Sequence, residues 1–217
     1  MNKKFTILLD NGHGKETPGK RSPLWPDGTQ LFEYEFNRDI VNRLIPMFER
    51  SGLNVVKLVP ELNDVSLKER VTRANNFYKK DKNCILLSIH ANAGGGTGWE
   101  AFTTKGVTKS DTIAEYLYKE AESMGFKVRK DMTDGDRDKE ENFYIIKNSN
   151  MPAVLTENFF MDTRTDCNFI MSDAGREKIA LMHYNAIMKY LKDFKLFEPV
   201  IIADSFHVEA DHKCNMV

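Results

Sequence analysis

Apolar positions along the chain follow two rhythms, short continuous runs and stretches where they return every three or four residues, which separate strands from helices. Phe5 to Leu9 is the first run and ends in Asp10-Asn11-Gly12-His13-Gly14, so a buried strand feeds a glycine-rich turn. A loop from Lys15 to Gly28, carrying Pro18, Pro23 and Pro26, leads to helical spacing that begins near Glu33 with Phe36, Ile40, Leu44, Ile45 and Phe48 on one face. Ser51-Gly52 ends that helix, with Gly52 as its left-handed cap. Val55 to Val59 reads as a second strand, and the capping-box pattern Ser66-Leu67-Lys68-Glu69 opens a helix to about Tyr78. Ile85 to Ile89 forms a third strand that runs into His90-Ala91-Asn92, and a short strand around Trp99 to Phe102 follows four glycines. Lys109 to Met124 is amphipathic, Phe143 to Ile146 and Ala153 to Thr156 read as two further strands, and Arg176 to Phe194 is a final helix.

Strands alternating with helices predict an α/β fold: a single domain with a twisted, mostly parallel sheet of about six strands and helices on both faces. The expected domain spans 1–194, with 195–217 a short peripheral tail. The chain has 217 residues, with 41% hydrophobic and 29% charged, a balance that suits one globular domain. Thirty-one basic and 32 acidic residues give a net charge of −1, so nucleic acid is not an expected partner. No run approaches the length of a membrane span, and the chain is expected to be a monomer. Three cysteines lack zinc-ribbon spacing and indicate no disulfide framework.

Chemistry gathers at the strand ends. In open α/β sheets, ligands collect beyond the carboxyl ends of the strands. His13 follows the first strand and His90 the third, each with a small residue after it, and Glu33 opens the first long helix. Two imidazoles and a carboxylate form a catalytic zinc set that leaves a fourth position for water. Paired strand-end histidines are also common as ordinary hydrogen-bonded residues, so the pattern alone leaves both readings open. A further acid, Glu157, follows Ala153-Val154-Leu155-Thr156 onto the same rim, where a general base would be needed.

These residues carry a family resemblance that runs from near the N-terminus to about the last helix. Asp10-Asn11-Gly12-His13-Gly14 is similar to an opening D-P-G-H-G, with Asn11 in place of proline. Glu33-Tyr34-Glu35-Phe36-Asn37 resembles E-x-x-x-N, and Ser66 to Arg70 with Ala74-Asn75 resembles the S/L-x-x-R…A-N stretch. Ser88-Ile89-His90-Ala91-Asn92 reproduces S-I-H-A-N, and Pro152 to Glu157 resembles P-A-V-L-V-E. In this order and spacing the pieces resemble the zinc-dependent N-acetylmuramoyl-L-alanine amidases of the Amidase_3 family. The resemblance implies one Zn2+ held by His13, Glu33 and His90, Glu157 as acid/base, and bacterial peptidoglycan as substrate. It favours Glu33 over Glu35 as ligand. Lys147 and Asn92 are carried over as substrate-contact candidates. Phe159 departs from the pattern, standing where the family usually has glycine, and would narrow the cleft or redirect its loop.

Asp10 either orients His13 or caps the turn, and Arg70 and Asn75 are expected to brace the rim. Trp25 and Trp99 suit packing at least as well as substrate contact, and His183 is read as a helix-face residue without a ligand role. The tail cluster His207, Asp211, His212 and Cys214 has metal-like composition but no scaffold to fix it. Asp131 to Glu141 lacks the residue order of a calcium loop and reads as a solvated loop flanking the cleft. Rival functions are another zinc peptidase of the wall, such as a carboxypeptidase, or a non-catalytic wall-binding module. The apolar stretch at the N-terminus is too short for a signal-peptide core. The expectation is therefore synthesis in the cytoplasm and action on the wall after release, as in a phage or prophage endolysin.

Overall fold

The computed structural model describes residues 4–133 and 135–197. Six strands form one sheet in the order β2-β1-β3-β6-β4-β5: β1 Thr6–Asn11, β2 Asn54–Lys57, β3 Cys84–Asn92, β4 Trp99–Thr103, β5 Lys139–Glu140 and β6 Ala153–Phe160. β2, β1, β3 and β6 run parallel, while β4 is antiparallel to β6. The helices are α1 Glu33–Arg50, α2 Leu67–Lys80, α3 Lys109–Ser123, α4 Tyr144–Lys147, α5 Arg164–Met171 and α6 Asp173–Asp193. No described helix is long and apolar enough to cross a membrane.

The sheet buries two unequal cores. On one face Ile7, Leu9, Ile85, Leu87 and Val154 pack with residues of α1, α3, α5 and α6. On the other, Leu8, Leu86, Leu155 and Phe102 pack with Val71 and Ala74 of α2 and Ile145 and Ile146 of α4. Because strand side chains alternate, that second face continues from Leu8 to Asp10, from Leu86 to Ser88 and His90, and from Leu155 to Glu157. Apolar positions under α2 and α4 thus give way to polar ones toward the carboxyl ends. The chain leaves β1 for β2 on one side and lies beside β3 on the other, which makes the β1/β3 boundary the switch point where loops diverge.

Local signals account for most boundaries. At the end of α1 the Gly52 N–H donates to Glu49 O at 2.9 Å and the Leu53 N–H to Phe48 O at 3.1 Å, closing a Schellman turn around Gly52 at φ 92°. Ser66 Oγ accepts the Glu69 N–H at 3.2 Å, whereas the Glu69 carboxylate turns to Arg73, so only half of the expected capping box forms.

Two sequence expectations change. Phe143 to Ile146 is not a strand but leads into the single-turn helix α4, in which Ile145 and Ile146 are both buried. A four-residue apolar run carries too little periodicity to distinguish the two, and the sheet edge is taken by the polar pair β5 instead. α5 had no clear signal, and α6 begins three residues before the expected Arg176, with Ser172 Oγ accepting the Gly175 N–H.

Phe159 neither narrows the cleft nor points toward it. His90 pairs with Glu157 and Asn92 with Phe160, so one residue of β3 faces two of β6 in a bulge. Phe159 absorbs the extra residue at φ 66°, a left-handed conformation that favours glycine. Its ring packs instead against Phe126 and Phe169, at centroid distances of 5.1 and 4.9 Å. Aromatic burial here holds a backbone conformation that a side chain ordinarily resists. Phe159→Ala should therefore destabilise the fold by about 3–5 kcal/mol. Phe159→Gly should be more stable than the alanine variant by about 1 kcal/mol, the reverse of their order in a regular strand. Urea melts of the two variants check this, and alanine ranking above glycine would remove the backbone argument.

Candidate metal centre

The turn after β1 is built by its glycines. A Cβ on Gly12 would lie 2.0 Å from the His90 ring and one on Gly14 would lie 2.1 Å from the Asp64 backbone nitrogen, so neither position accepts a side chain. His13 follows at φ 62°, its carbonyl oxygen accepting from Arg38 Nη1 at 2.9 Å. Asn37 Nδ2 donates to Gly12 O at 3.0 Å. Residues four apart share a helix face, so α1 presents Glu33, Asn37 and the Arg38 anchor to this one turn.

Glu33 is the first residue of α1, and its side chain is 1% exposed. Its Oε1 lies 3.4 Å from His13 Nε2 and 3.1 Å from His90 Nδ1, and accepts the Ala91 N–H at 3.3 Å. Oε2 has no hydrogen bond, its nearest cation being Lys20 Nζ at 3.9 Å. The two imidazoles meet edge to face with centroids 4.9 Å apart. One ligand atom from each of His13, Glu33 and His90 falls within a mutual 4.8 Å, a grouping that can hold a metal ion. The side chains of His13 and His90 remain 19% and 12% exposed, so the centre opens to solvent.

Electrostatics fits the same reading. Burial pushes the Glu33 carboxyl up, but the His90 hydrogen bond and the two imidazoles outweigh it and hold the group at about 2. Burial lowers His13 to about 4 against the pull of Glu33, while the Glu33 hydrogen bond raises His90 despite its burial. Glu33 thus stays ionised.

Glu157 sits beside this set, paired in register with His90 on one side and with Glu100 of β4 on the other. Its Oε2 is buried with no hydrogen-bond partner. Burial raises its pKa to about 7, helped by Glu33 and Glu100 and opposed by His90. A buried carboxyl with an unclaimed oxygen, held near neutrality, is suited to exchanging protons.

Other candidates are placed differently. The Asp10 carboxylate does not reach His13; Arg70 Nη1 at 3.1 Å and Ser88 Oγ at 2.7 Å occupy it. Arg70 also bonds Asn11 O, Asp64 and Val65 O, and so braces the β1 turn. Asn92 Nδ2 donates to Glu100 Oε1 at 2.6 Å. Lys147 stands at the opposite end of the sheet, where it lines a cavity with Cys84, Met151 and Pro152 at the amino ends of β3 and β6. The expected place for Lys147 near the centre is thereby corrected, because α4 packs under the start of β6 rather than beside its end. Asn75 likewise bonds the α4–β6 connection, with Asn148 O as acceptor and Asn150 N–H as donor.

Trp99 is fully buried and donates to Asn158 Oδ1, while Trp25 Nε1 reaches Cys167 Sγ at 3.3 Å. His183 is buried between Ile179 O and Thr156 Oγ1, away from the metal grouping. In the acidic loop, Asp131 bonds Thr133 whereas Asp138 is buried against Thr103 Oγ1, so that segment is less solvated than its composition implied. Asp134 and the tail cluster His207, Asp211, His212 and Cys214 lie outside the described residues. Lys20, Glu100, Arg129 and Lys139 were not singled out from the sequence. Each comes from an ordinary charged position whose partners are distant in the chain, so no local pattern marked it.

Fold and centre together define an α/β domain with a His–Glu–His set that could hold a metal ion beside a buried carboxyl group. The chain belongs to the N-acetylmuramoyl-L-alanine amidase family Amidase_3, whose family model matches residues 7–189. It is 30% identical over 182 residues to the sporulation-specific N-acetylmuramoyl-L-alanine amidase of Bacillus subtilis (strain 168), spanning 83% of this chain and 66%, just under two thirds, of that protein. It is 28% identical over 220 residues to the N-acetylmuramoyl-L-alanine amidase CwlM of Bacillus licheniformis, covering 95% of this chain and 81% of the relative. The N-acetylmuramoyl-L-alanine amidase structure from Clostridium difficile 630 shares the fold, with a TM-score of 0.73 at 24% identity over 87% of this chain and 97% of that one.

Glu157 supplies a test on the metal-free protein. Its raised folded pKa means the ionised form destabilises the fold: the penalty is absent below about pH 4.5, grows as pH rises, and is complete above about pH 7. Chelator-treated Glu157→Gln should therefore be more stable than wild type at pH 8, by on the order of 3 kcal/mol, with the difference closing near pH 4. Urea titrations at the two pH values check this; a variant less stable at pH 8 would contradict it.

Proposed function

We propose that this chain hydrolyses the amide bond between N-acetylmuramic acid and the L-alanine of peptidoglycan stems, using zinc held by His13, Glu33 and His90 and Glu157 as acid/base. The observation that carries this reading is the convergence of the three donors on one point beside Glu157. Ligand atoms about 2.0–2.1 Å from a tetrahedral zinc stand about 3.3–3.4 Å apart. The His13–Glu33 and His90–Glu33 separations of 3.4 and 3.1 Å suit such a site. Two nitrogens and one carboxylate oxygen also match the donor set of a catalytic rather than a closed structural zinc. When bound, zinc polarises the scissile carbonyl and makes water a nucleophile near neutral pH.

The protein's own part is to position and move protons. Glu157 Oε2, unclaimed by any hydrogen bond, takes a proton from the attacking water. The same carboxyl then gives that proton to the departing nitrogen, which must leave as an amine because an amide anion is a very poor leaving group. Burial between His90 and Glu100 keeps Glu157 close to the pKa that such two-way transfer needs. Asn37 and Arg38 fix the β1 turn, so His13 presents its imidazole without a conformational search.

Glu157→Gln should retain stoichiometric zinc and lose about 10²–10⁴-fold in rate on purified walls. His13→Ala and His90→Ala should each lose zinc, measured by atomic emission on the dialysed protein. Mass spectrometry of the digest should find intact stem peptides with new L-alanine amino termini. Wall hydrolysis at the wild-type rate by Glu157→Gln would remove the assigned base, and release of single C-terminal amino acids would replace the amidase reading by a carboxypeptidase.

A further inference from the structure

His90, Glu157 and Glu100 form one registered row across β3, β6 and β4. Beyond Glu100 the row ends in two cations. Glu100 is buried, and its carboxylate is saturated: Asn92 Nδ2 lies 2.6 Å from Oε1, while Arg129 Nε at 2.7 Å and Lys139 Nζ at 2.6 Å share Oε2. One positive charge neutralises one carboxylate, so this trio carries a surplus positive charge beside the cleft. Lys139 has its ammonium on Glu100 and is 24% exposed, whereas Arg129 is 40% exposed and gives Glu100 only Nε. Among the described residues, neither Nη group of Arg129 has a protein acceptor.

Arg129 is also held ready. Its N–H donates to Trp99 O and its carbonyl accepts the Tyr118 hydroxyl, each at 2.9 Å. Its guanidinium lies 5.1 Å over the Phe160 ring. A guanidinium fixed at Nε and stacked on an aromatic face presents a planar fork that matches a carboxylate. Arg129 Nε lies 2.7 Å from Glu100 Oε2, and Glu100 pairs with Glu157 across one strand spacing of about 4.8 Å, so the fork lies roughly 7 Å from Glu157. An extended peptide covers that distance in about two residues.

We propose that Arg129 binds a carboxylate on the peptide side of the substrate, on the residue that follows L-alanine. The enzyme then discriminates stems bearing a free acid at that residue from stems bearing its amide. This rests on the amidase reading above, with the peptide laid toward β4 and the sugar toward the β1 turn.

The test compares zinc-loaded protein on N-acetylmuramoyl-L-alanyl-D-glutamate and on the isoglutamine counterpart, each with its γ-carboxyl capped as the methylamide so that the two differ only in a free α-carboxylate or its amide. Wild type should favour the acid in kcat/KM, and Arg129→Gln should reduce the acid-to-amide ratio by roughly 10- to 100-fold, the loss of a charge-assisted pair. Arg129→Lys should fall between them, keeping the charge but not the fork. Calorimetric Kd values for the released dipeptide acid should weaken in the same order. A ratio that is unchanged in both variants, or a wild type indifferent to acid and amide, overturns the assignment while leaving the amidase reading intact. Cleavage of neither substrate by wild type overturns both.

Discussion

The buried carboxylate of Glu33 is the constraint around which the rest of the centre is arranged. A charge taken out of water must be met by partners or give up its proton. Here one oxygen faces both imidazoles and the Ala91 N–H, while the other is left without a hydrogen bond. Its position as the first residue of α1 adds the partial positive charge of a helix start. The pull that keeps Glu33 ionised also draws the β1 and β3 ends together, so local electrostatics and sheet topology point to the same spot. The unpartnered Oε2 leaves the group able to take a further ligand.

The two faces of the sheet divide the labour. Large helices seal one face and supply most of the hydrophobic burial. Among the described residues, α2 and the short α4 are the helices that cover the other, and their cover stops where the strands turn polar. That gap places Asp10, Ser88, His90, Glu157 and Glu100 on one side of the sheet without extra loops to hold them. A raised Glu157 pKa is the cost of burying an acid there, offset by the core on the opposite face.

Much of this was legible in the sequence, for identifiable reasons. The core strands and long helices have strong periods, and Gly52 and Ser66 mark boundaries through local chemistry. His13, Glu33, His90 and Glu157 stood out because each sits at an element end beside small residues or in a family-like motif. What escaped depends on distant partners. The helix α4 arises from a run too short to show a period, and β5 has no apolar residue at all. The family resemblance points Lys147 toward the centre, whereas packing of Ile145 and Ile146 takes its segment to the other end of the sheet. Glu100 looks like any strand carboxylate until Asn92, Arg129 and Lys139 close on it.

Gly12 never offers an atom to a ligand, yet the His90 imidazole occupies the space its side chain would need. The smallest methyl at that position would evict an imidazole one strand away. Residue 12 therefore behaves as the missing half of a mould whose other half is His90. A screen for lost activity would score a change there like a change in His90 itself, although it is a void, not a functional group, that has been filled.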